Sequence, residues 1–194
     1  MHFHFSGSEY VGSWKLNKMH GEGLRRFANG DAYMGSFVEN CRSGHGKLSF
    51  QNGDLYVGSW KNDKFHGQGK YHYHREGKTY QGSFVDGMRS GVSKVQHDAS
   101  GILELIRFEN NVPQGIGIRW SKDRTKAWRL KTRKGGVAKL KRITIPEAVA
   151  LRYELEEEAA ASSSPTSSSS QQHQDDQTSC RDTEHDSFCE PLFL

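Results

Sequence analysis

Tyr10-Val11-Gly12-Ser13-Trp14 is the stretch that decides the fold, because it returns as Tyr33-Met34-Gly35-Ser36-Phe37, Tyr56-Val57-Gly58-Ser59-Trp60 and Tyr80-Gln81-Gly82-Ser83-Phe84. The starts lie about 23 residues apart, with Tyr80 one residue late. Each unit carries a second signal further on: Gly21-Glu22-Gly23, Gly44-His45-Gly46, Gly67-Gln68-Gly69 and a weaker Gly91-Val92-Ser93. Self-similarity at a fixed period marks an array in which each unit is one supersecondary element that relies on its neighbours for burial. A fifth, eroded unit leads back from Gly115-Ile116-Gly117, with Phe108 as its aromatic and Ile106 where the first glycine belongs. Upstream, Gly7 falls where the turn glycine of a preceding unit would fall, so residues 1–9 read as a partial leading repeat.

Side chains alternate between faces along a strand, so Tyr10, Gly12 and Trp14 share one face. The glycine leaves bare backbone there, on which a ring from the neighbouring strand is expected to lie. Gly21 and Gly23 repeat the device on the return strand. The same reasoning marks Gly35, Gly44, Gly46, Gly58, Gly67, Gly69, Gly82 and Gly91 as structural glycines. Asn29-Gly30-Asp31 and Asn52-Gly53-Asp54 sit between units, and Asn-Gly is the strongest short hairpin signal because both turn residues of that turn need positive φ. In the third and fourth units the turn glycines, Gly77 and Gly101, come one residue late, which predicts a longer turn. Five units of two strands give a sheet on the order of 45–50 Å long.

The phased pattern resembles the MORN (membrane occupation and recognition nexus) repeat family, Tyr-x-Gly-x-Trp followed by Gly-x-Gly over about 23 residues, across roughly residues 7–120. The resemblance implies an all-β, elongated, curved, single-layer antiparallel sheet of hairpin repeats. The array is expected over 10–120, with units starting near 10, 33, 56, 80 and 104. Proteins of similar repeats act as adaptors at membranes and in cytoskeletal assemblies. On that model Tyr10, Trp14, Tyr33, Phe37, Tyr56, Trp60, Tyr80 and Phe84 form an aromatic face that holds the sheet together, binds a partner through its ring edges, or both.

The rest of the chain differs in composition. Between residues 119 and 142, eleven lysines and arginines face Asp123 alone, a local balance of +10. A terminal hairpin is expected within 121–142, with Arg129, Lys131 and Arg133 on one face and Trp128, Leu130 and Thr132 on the other. Arg124, Lys126, Arg129, Lys131, Arg133 and Lys134 are the anion-binding candidates; the plainer reading is a solvated edge whose cations block aggregation. Thr144-Ile145-Pro146-Glu147 has the spacing of a capping box. Ala148, Leu151 and Leu155 then recur at helical spacing, which predicts a helix over 143–161 that covers the open edge and frays at Glu156-Glu157-Glu158. Residues 162–194 are acidic and Ser-rich, predicting a disordered tail that could fold back over the basic segment.

Function follows by exclusion as much as by pattern. Phosphate loop, nucleotide fingerprint, nucleophile elbow and zinc spacing are all missing from the sequence, and the Gly-x-Gly pairs lie in strands, so no catalysis, cofactor or metal is expected. His72 and His74 share a strand face, but no third ligand is placed beside them. The expectation is a scaffold for a protein partner, with an anionic membrane surface as the alternative, self-association open, and nucleic acid the weaker case for want of a motif. No apolar run approaches a membrane span and no leader pattern opens the chain. Three unevenly spaced cysteines, Cys41, Cys180 and Cys189, read as reduced thiols. Together these point to the cytoplasm, with a membrane surface or the cytoskeleton as the place of work.

Overall fold

Short-period alternation inside each unit, repeated in phase, gives one open sheet. The computed structural model describes residues 2–5, 7–133 and 136–163. Thirteen strands run in chain order, each antiparallel to the next. They are β1 His2–Phe5, β2 Ser8–Lys15, β3 Lys18–Arg26, β4 Ala32–Val38, β5 Cys41–Ser49, β6 Leu55–Lys61, β7 Lys64–Tyr73, β8 Lys78–Val85, β9 Met88–His97, β10 Leu103–Glu109, β11 Val112–Trp120, β12 Ala127–Arg133 and β13 Gly136–Ile143, followed by α1 Ile145–Ser163. The five sequence units supply β2 to β11; β1 precedes them and the basic hairpin adds two strands. Twelve inter-strand steps make the sheet roughly 58 Å long. Lys134, Cys180, Cys189 and the tail from residue 164 lie outside the described residues, and with them the expected disorder and fold-back. Cys41 is buried.

The turns are distributed differently from expectation. The two-residue turns with both φ positive lie inside the units, at Leu16-Asn17, Glu39-Asn40, Asn62-Asp63, Asp86-Gly87 and Asn110-Asn111. Those conformations match the right-handed twist of the flanking strands. In the Asn-Gly turns between units only the glycine is left-handed, Gly30 at φ 91 and Gly53 at φ 90. There Phe27 N donates to Asp31 O at 2.9 Å and Gly30 N to Phe27 O at 3.0 Å, closing a three-residue loop. Asn29 instead accepts from Asp31 N through its side chain at 3.0 Å, the local bond that makes Asn a turn residue.

Both ends of the hairpins are stitched to the neighbouring unit. Asn40 Oδ1 accepts from Met19 N at 2.7 Å, Asp63 Oδ1 from Arg42 N at 2.8 Å and Asn111 Oδ1 from Arg89 N at 2.7 Å. Each of these turn residues also donates its own N–H to the carbonyl of the same partner, at 3.0–3.1 Å. At the opposite ends Asp31 Oδ1 accepts from Gln51 N and Asp54 Oδ1 from His74 N.

The two glycines of each Gly-x-Gly pair serve different purposes. Gly21, Gly44, Gly67, Gly91 and Gly115 are left-handed, with φ between 66 and 74, at a bulge where the return strand carries extra residues opposite Ser13, Ser36, Ser59, Gly82 and Ile106. The second glycine is a shelf. Gly12, Gly23, Gly35, Gly46, Gly58, Gly69 and Gly82 are successive register partners across β2 to β8, a bare rail at right angles to the strands. A Cβ at Gly23, Gly46 or Gly69 would fall within the ring of Tyr10, Tyr33 or Tyr56. The ring over each shelf is the tyrosine of the same unit: it reaches the Gly-x-Gly glycine from the neighbouring strand, as expected, and also covers the glycine two residues after it on its own strand. Ser93 takes the shelf position in the fourth unit and bonds the Tyr80 hydroxyl at 2.7 Å, which explains the weakened motif there.

The helix begins as its sequence predicts. Thr144 N donates to Glu147 Oε2 at 2.8 Å, and Glu147 N to Thr144 Oγ1 at 3.4 Å. The bonds that Thr144 donates to it, from its backbone N–H and then its hydroxyl, hold the Glu147 carboxyl below the usual range. α1 then continues through the three glutamates to Ser163. Glu158 pairs with Arg107 and Glu156 with Arg152, offsetting the unfavourable dipole. The expected edge cap is not what forms. Ala148, Leu151 and Leu155 pack with Ile118, Trp120 and Ala127 on the face opposite the tyrosines, over β9, β11 and β12.

Gly46→Ala should lose roughly 3 kcal/mol, the upper end for overpacking. Gly77→Ala, where nothing lies within 4 Å of the added carbon, should lose only about 1 kcal/mol from its left-handed backbone. Urea melts of the two variants giving equal losses would remove the ring-on-glycine account.

Candidate functional site

The eight candidate aromatics are packing residues first. Tyr33 and Tyr56 are fully buried, Tyr10, Phe37, Trp60, Tyr80 and Phe84 are buried, and Trp14 at the start of the row is partly covered. They form a zigzag of edge-to-face contacts in which each tyrosine touches the aromatic of its own unit and that of the next. Tyr33 meets Phe37 at 5.0 Å and Trp60 at 5.1 Å; Tyr56 meets Trp60 at 5.2 Å and Phe84 at 5.3 Å. Tyr10, Tyr33, Tyr56 and Tyr80 donate their hydroxyls to Ser13, Ser36, Ser59 and Ser83 carbonyls at 2.8–3.1 Å. Arg42 closes over Trp60 at 4.6 Å while bonded to Asp63, and Arg89 over Phe108 at 4.6 Å while bonded to Asn111. A face sealed this way leaves little ring area for a partner.

The opposite face is different. One register row crosses it: Val11, Leu24, Met34, Lys47, Val57, Lys70, Gln81, Lys94, Leu105, Ile118, Arg129 and Lys141. Ile118 is buried beneath α1, whereas Met34 and Val57 stand 58% and 46% exposed where no helix covers the sheet. Beside that row the motif serines bond across strands to the middle residue of Gly-x-Gly, Ser36 Oγ to Glu22 at 2.5 Å and Gln68 to Ser83 Oγ at 2.7 Å. Sequence reading assigned no role to this face, because glycine and tyrosine dominate the repeat signal and its outward residues vary from unit to unit.

The basic segment forms a patch on this same face, beyond the helix. Arg129 pairs in register with Lys141, and Lys131 with Lys139. Arg133 shares their side of β12, and all five cations are exposed. Like charges placed directly opposite each other destabilise a sheet. Glu147, the nearest carboxylate that Arg129 and Lys141 influence, is occupied by its capping bonds. Arg124 and Lys126 sit apart from the patch, exposed in the β11–β12 connection.

Two polar clusters lie elsewhere in the sheet. Glu104 stands where the fifth unit would carry its tyrosine; it is buried, bonded by Arg119 at 2.6 Å, with His97 Nε2 at 3.5 Å. An ion pair thus replaces a ring, which the sequence reading missed by looking for the motif's erosion and not for its substitute. His72 contacts Thr79 at 3.1 Å and Asp98 at 3.6 Å, while its ring lies 6.5 Å from that of His74. Among the described residues no three His, Cys, Asp or Glu side chains come together as a metal site would need.

The MORN repeat model matches four consecutive segments, residues 10–32, 33–55, 56–75 and 80–92. The fifth structural unit, without tyrosine, falls outside the match. No curated protein sequence matches the chain. Among solved structures the TCP domain of Drosophila melanogaster SAS-4, in complex with a proline-rich motif, aligns at 11% identity and a TM-score of 0.28, over 61% of this chain and 85% of that one. That score is too low to support any inference.

Burial pushes the Tyr73 and Tyr80 hydroxyls up to about 12 and raises Tyr10, Tyr33 and Tyr56 as well. Folding therefore holds protons that the unfolded chain releases near pH 10. The stabilisation is complete below pH 10 and is lost as pH climbs through about 12. The melting temperature should fall across that window, with tyrosinate absorbance rising as the sheet opens. Tyrosinate formation near pH 10 with the fold intact would contradict the burial of these rings.

Proposed function

The chain is a MORN-repeat protein over residues 10–92, and from that premise we propose that it is a non-catalytic scaffold binding a protein partner through the uncovered face of its sheet. Repeats of this kind commonly serve as binding modules. The observation that carries the reading is the exposed row through Met34 and Val57, on the part of that face that nothing among the described residues covers. Apolar side chains aligned on a regular sheet, flanked by Lys47 and Lys70, supply contact area with a charged rim, the anatomy of an interface. The aromatic face supports this only indirectly, by keeping the sheet rigid. Met34→Asp with Val57→Asp should abolish capture of the partner without moving the melting temperature. Unchanged capture would assign the interaction elsewhere.

A second reading rests on its own observation, the stacked like-charge pairs on β12 and β13. Arg129, Lys131, Arg133, Lys139 and Lys141 suit an anionic phospholipid surface, where each cation contributes about 1 kcal/mol. The full chain should bind anionic vesicles weakly and lose them at high salt. Reversing the charge of Arg129, Lys131 and Arg133 together should eliminate that binding; retention would leave the patch as a solvated edge.

A further inference from the structure

α1 does not seal against the sheet on both of its sides. Ala148, Leu151 and Leu155 are buried, but the adjacent stripe of Ile145, Val149 and Tyr153 remains 37%, 42% and 63% exposed. Between that stripe and Leu103, Leu105 and Trp120 lies a cavity of about 380 Å³. Apolar side chains thus line both long walls. The charged lining is unbalanced. Arg152 donates to Glu156 at 2.7 Å, which satisfies the only carboxylate there. Lys94 and Arg124 complete the lining, and among the described residues neither has an ion-pair partner. Lys94 stands in register with Leu105. Arg124 has a left-handed backbone at φ 60, and its guanidinium donates to Ser121 O at 3.3 Å.

We propose that this groove binds a free long-chain fatty acid as its carboxylate. The acyl chain lies between the Ile145–Val149–Tyr153 stripe and β10–β11, and the head is held by the two cations. Size favours this class over a protein segment: the volume is near the lower end of the ~300–1,000 Å³ of small-molecule sites, room for one chain and not for a docked helix. Charge favours an anion, because two cations meet no acid of the groove. An apolar cleft with a few convergent polar groups is the usual form of such a site. Arg124 brings a planar fork matched to a carboxylate, and Lys94 a point charge. The site is separate from the vesicle patch, since Arg129, Lys131 and Arg133 are outside its lining. It therefore stands or falls independently of the phospholipid reading.

Equilibrium dialysis of the full chain against oleate below its micellar concentration, beside uncharged oleyl alcohol, tests the assignment. Saturable binding at one oleate per chain is expected. Val149→Asp should weaken it about tenfold or more, and so should Tyr153→Ala; both side chains are substantially exposed, so the fold should tolerate their change. Lys94→Glu with Arg124→Glu should weaken oleate by a similar factor while leaving oleyl alcohol within about threefold. Anionic vesicles should bind the Val149→Asp chain as they bind the parent. Non-saturable uptake, or oleate affinity indifferent to Val149→Asp and Tyr153→Ala, overturns the groove as the site. Equal affinity of the parent chain for oleate and oleyl alcohol overturns the anionic assignment.

Discussion

A tyrosine ring lying flat on glycine backbone is the contact on which the sheet depends. A single layer has no second sheet to bury its rings, so the rings must be buried by the strands that carry them. Glycine makes that geometry available, because any Cβ on the shelf would occupy the ring's own space. The tyrosine is held at both ends. Its ring edge meets two aromatics, and its hydroxyl satisfies the serine carbonyl beside the bulge, a backbone group that leaves the regular ladder at that point. Phenylalanine would fill the shelf but leave that carbonyl without its bond. Such an orphaned buried acceptor costs about 1–3 kcal/mol.

Burial by self-covering decides where function can lie. The aromatic face spends its rings on one another, so recognition passes to the face that the repeat motif hardly specifies. There α1 divides the sheet into three zones. On one side the row through Met34 and Val57 is bare, beneath the helix Ile118 is buried, and beyond it Arg129 and Lys141 stand in register. One line of cross-strand partners thus passes from an apolar surface, through a covered core, to a cationic patch. The groove proposed for a fatty acid lies within this division, where the helix turns from sealing the sheet to merely overhanging it.

The sequence made the fold legible because the repeat imposes its period independently of which residues face outward. Tyr10, Gly12 and Trp14 on one face, the Gly-x-Gly return and the Thr144–Glu147 cap all follow from local chemistry. The two kinds of turn were exchanged for a physical reason. Asn-Gly carries the stronger composition signal, yet pairs such as Glu39-Asn40 and Asn62-Asp63 adopt two positive φ values at turns that bond the preceding unit, a tertiary contact invisible in one unit's sequence. The helix's position on the face was equally hidden: a capping helix reads the same whether it covers an edge or a face, and only the location of Ile118 and Trp120 settles it. The exposed row and the Glu104–Arg119 pair escaped because neither repeats.

The stitches also show that the array is uneven. At three junctions a left-handed Asn or Asp both accepts from and donates to the backbone of the preceding unit, through Asn40, Asp63 and Asn111. At the junction of the third and fourth units Gly87 has no side chain, and only its N–H remains, donating to Phe65 O at 2.9 Å. Phe65 stands where Arg42 and Arg89 stand in their own units; its ring stacks on Tyr56 of its own unit at 3.9 Å and meets Phe84 of the fourth unit at 5.7 Å. One of the two turn bonds between units is replaced there by the Phe65–Phe84 ring contact. Stability in a repeat array is a sum of unit terms and nearest-neighbour terms, so a junction that relies on stacking responds to temperature and solvent differently from one that relies on hydrogen bonds. The junction falls between the bare apolar row and the strands that α1 covers, so the two working halves of the sheet are joined there with one side-chain turn bond fewer and one ring contact more.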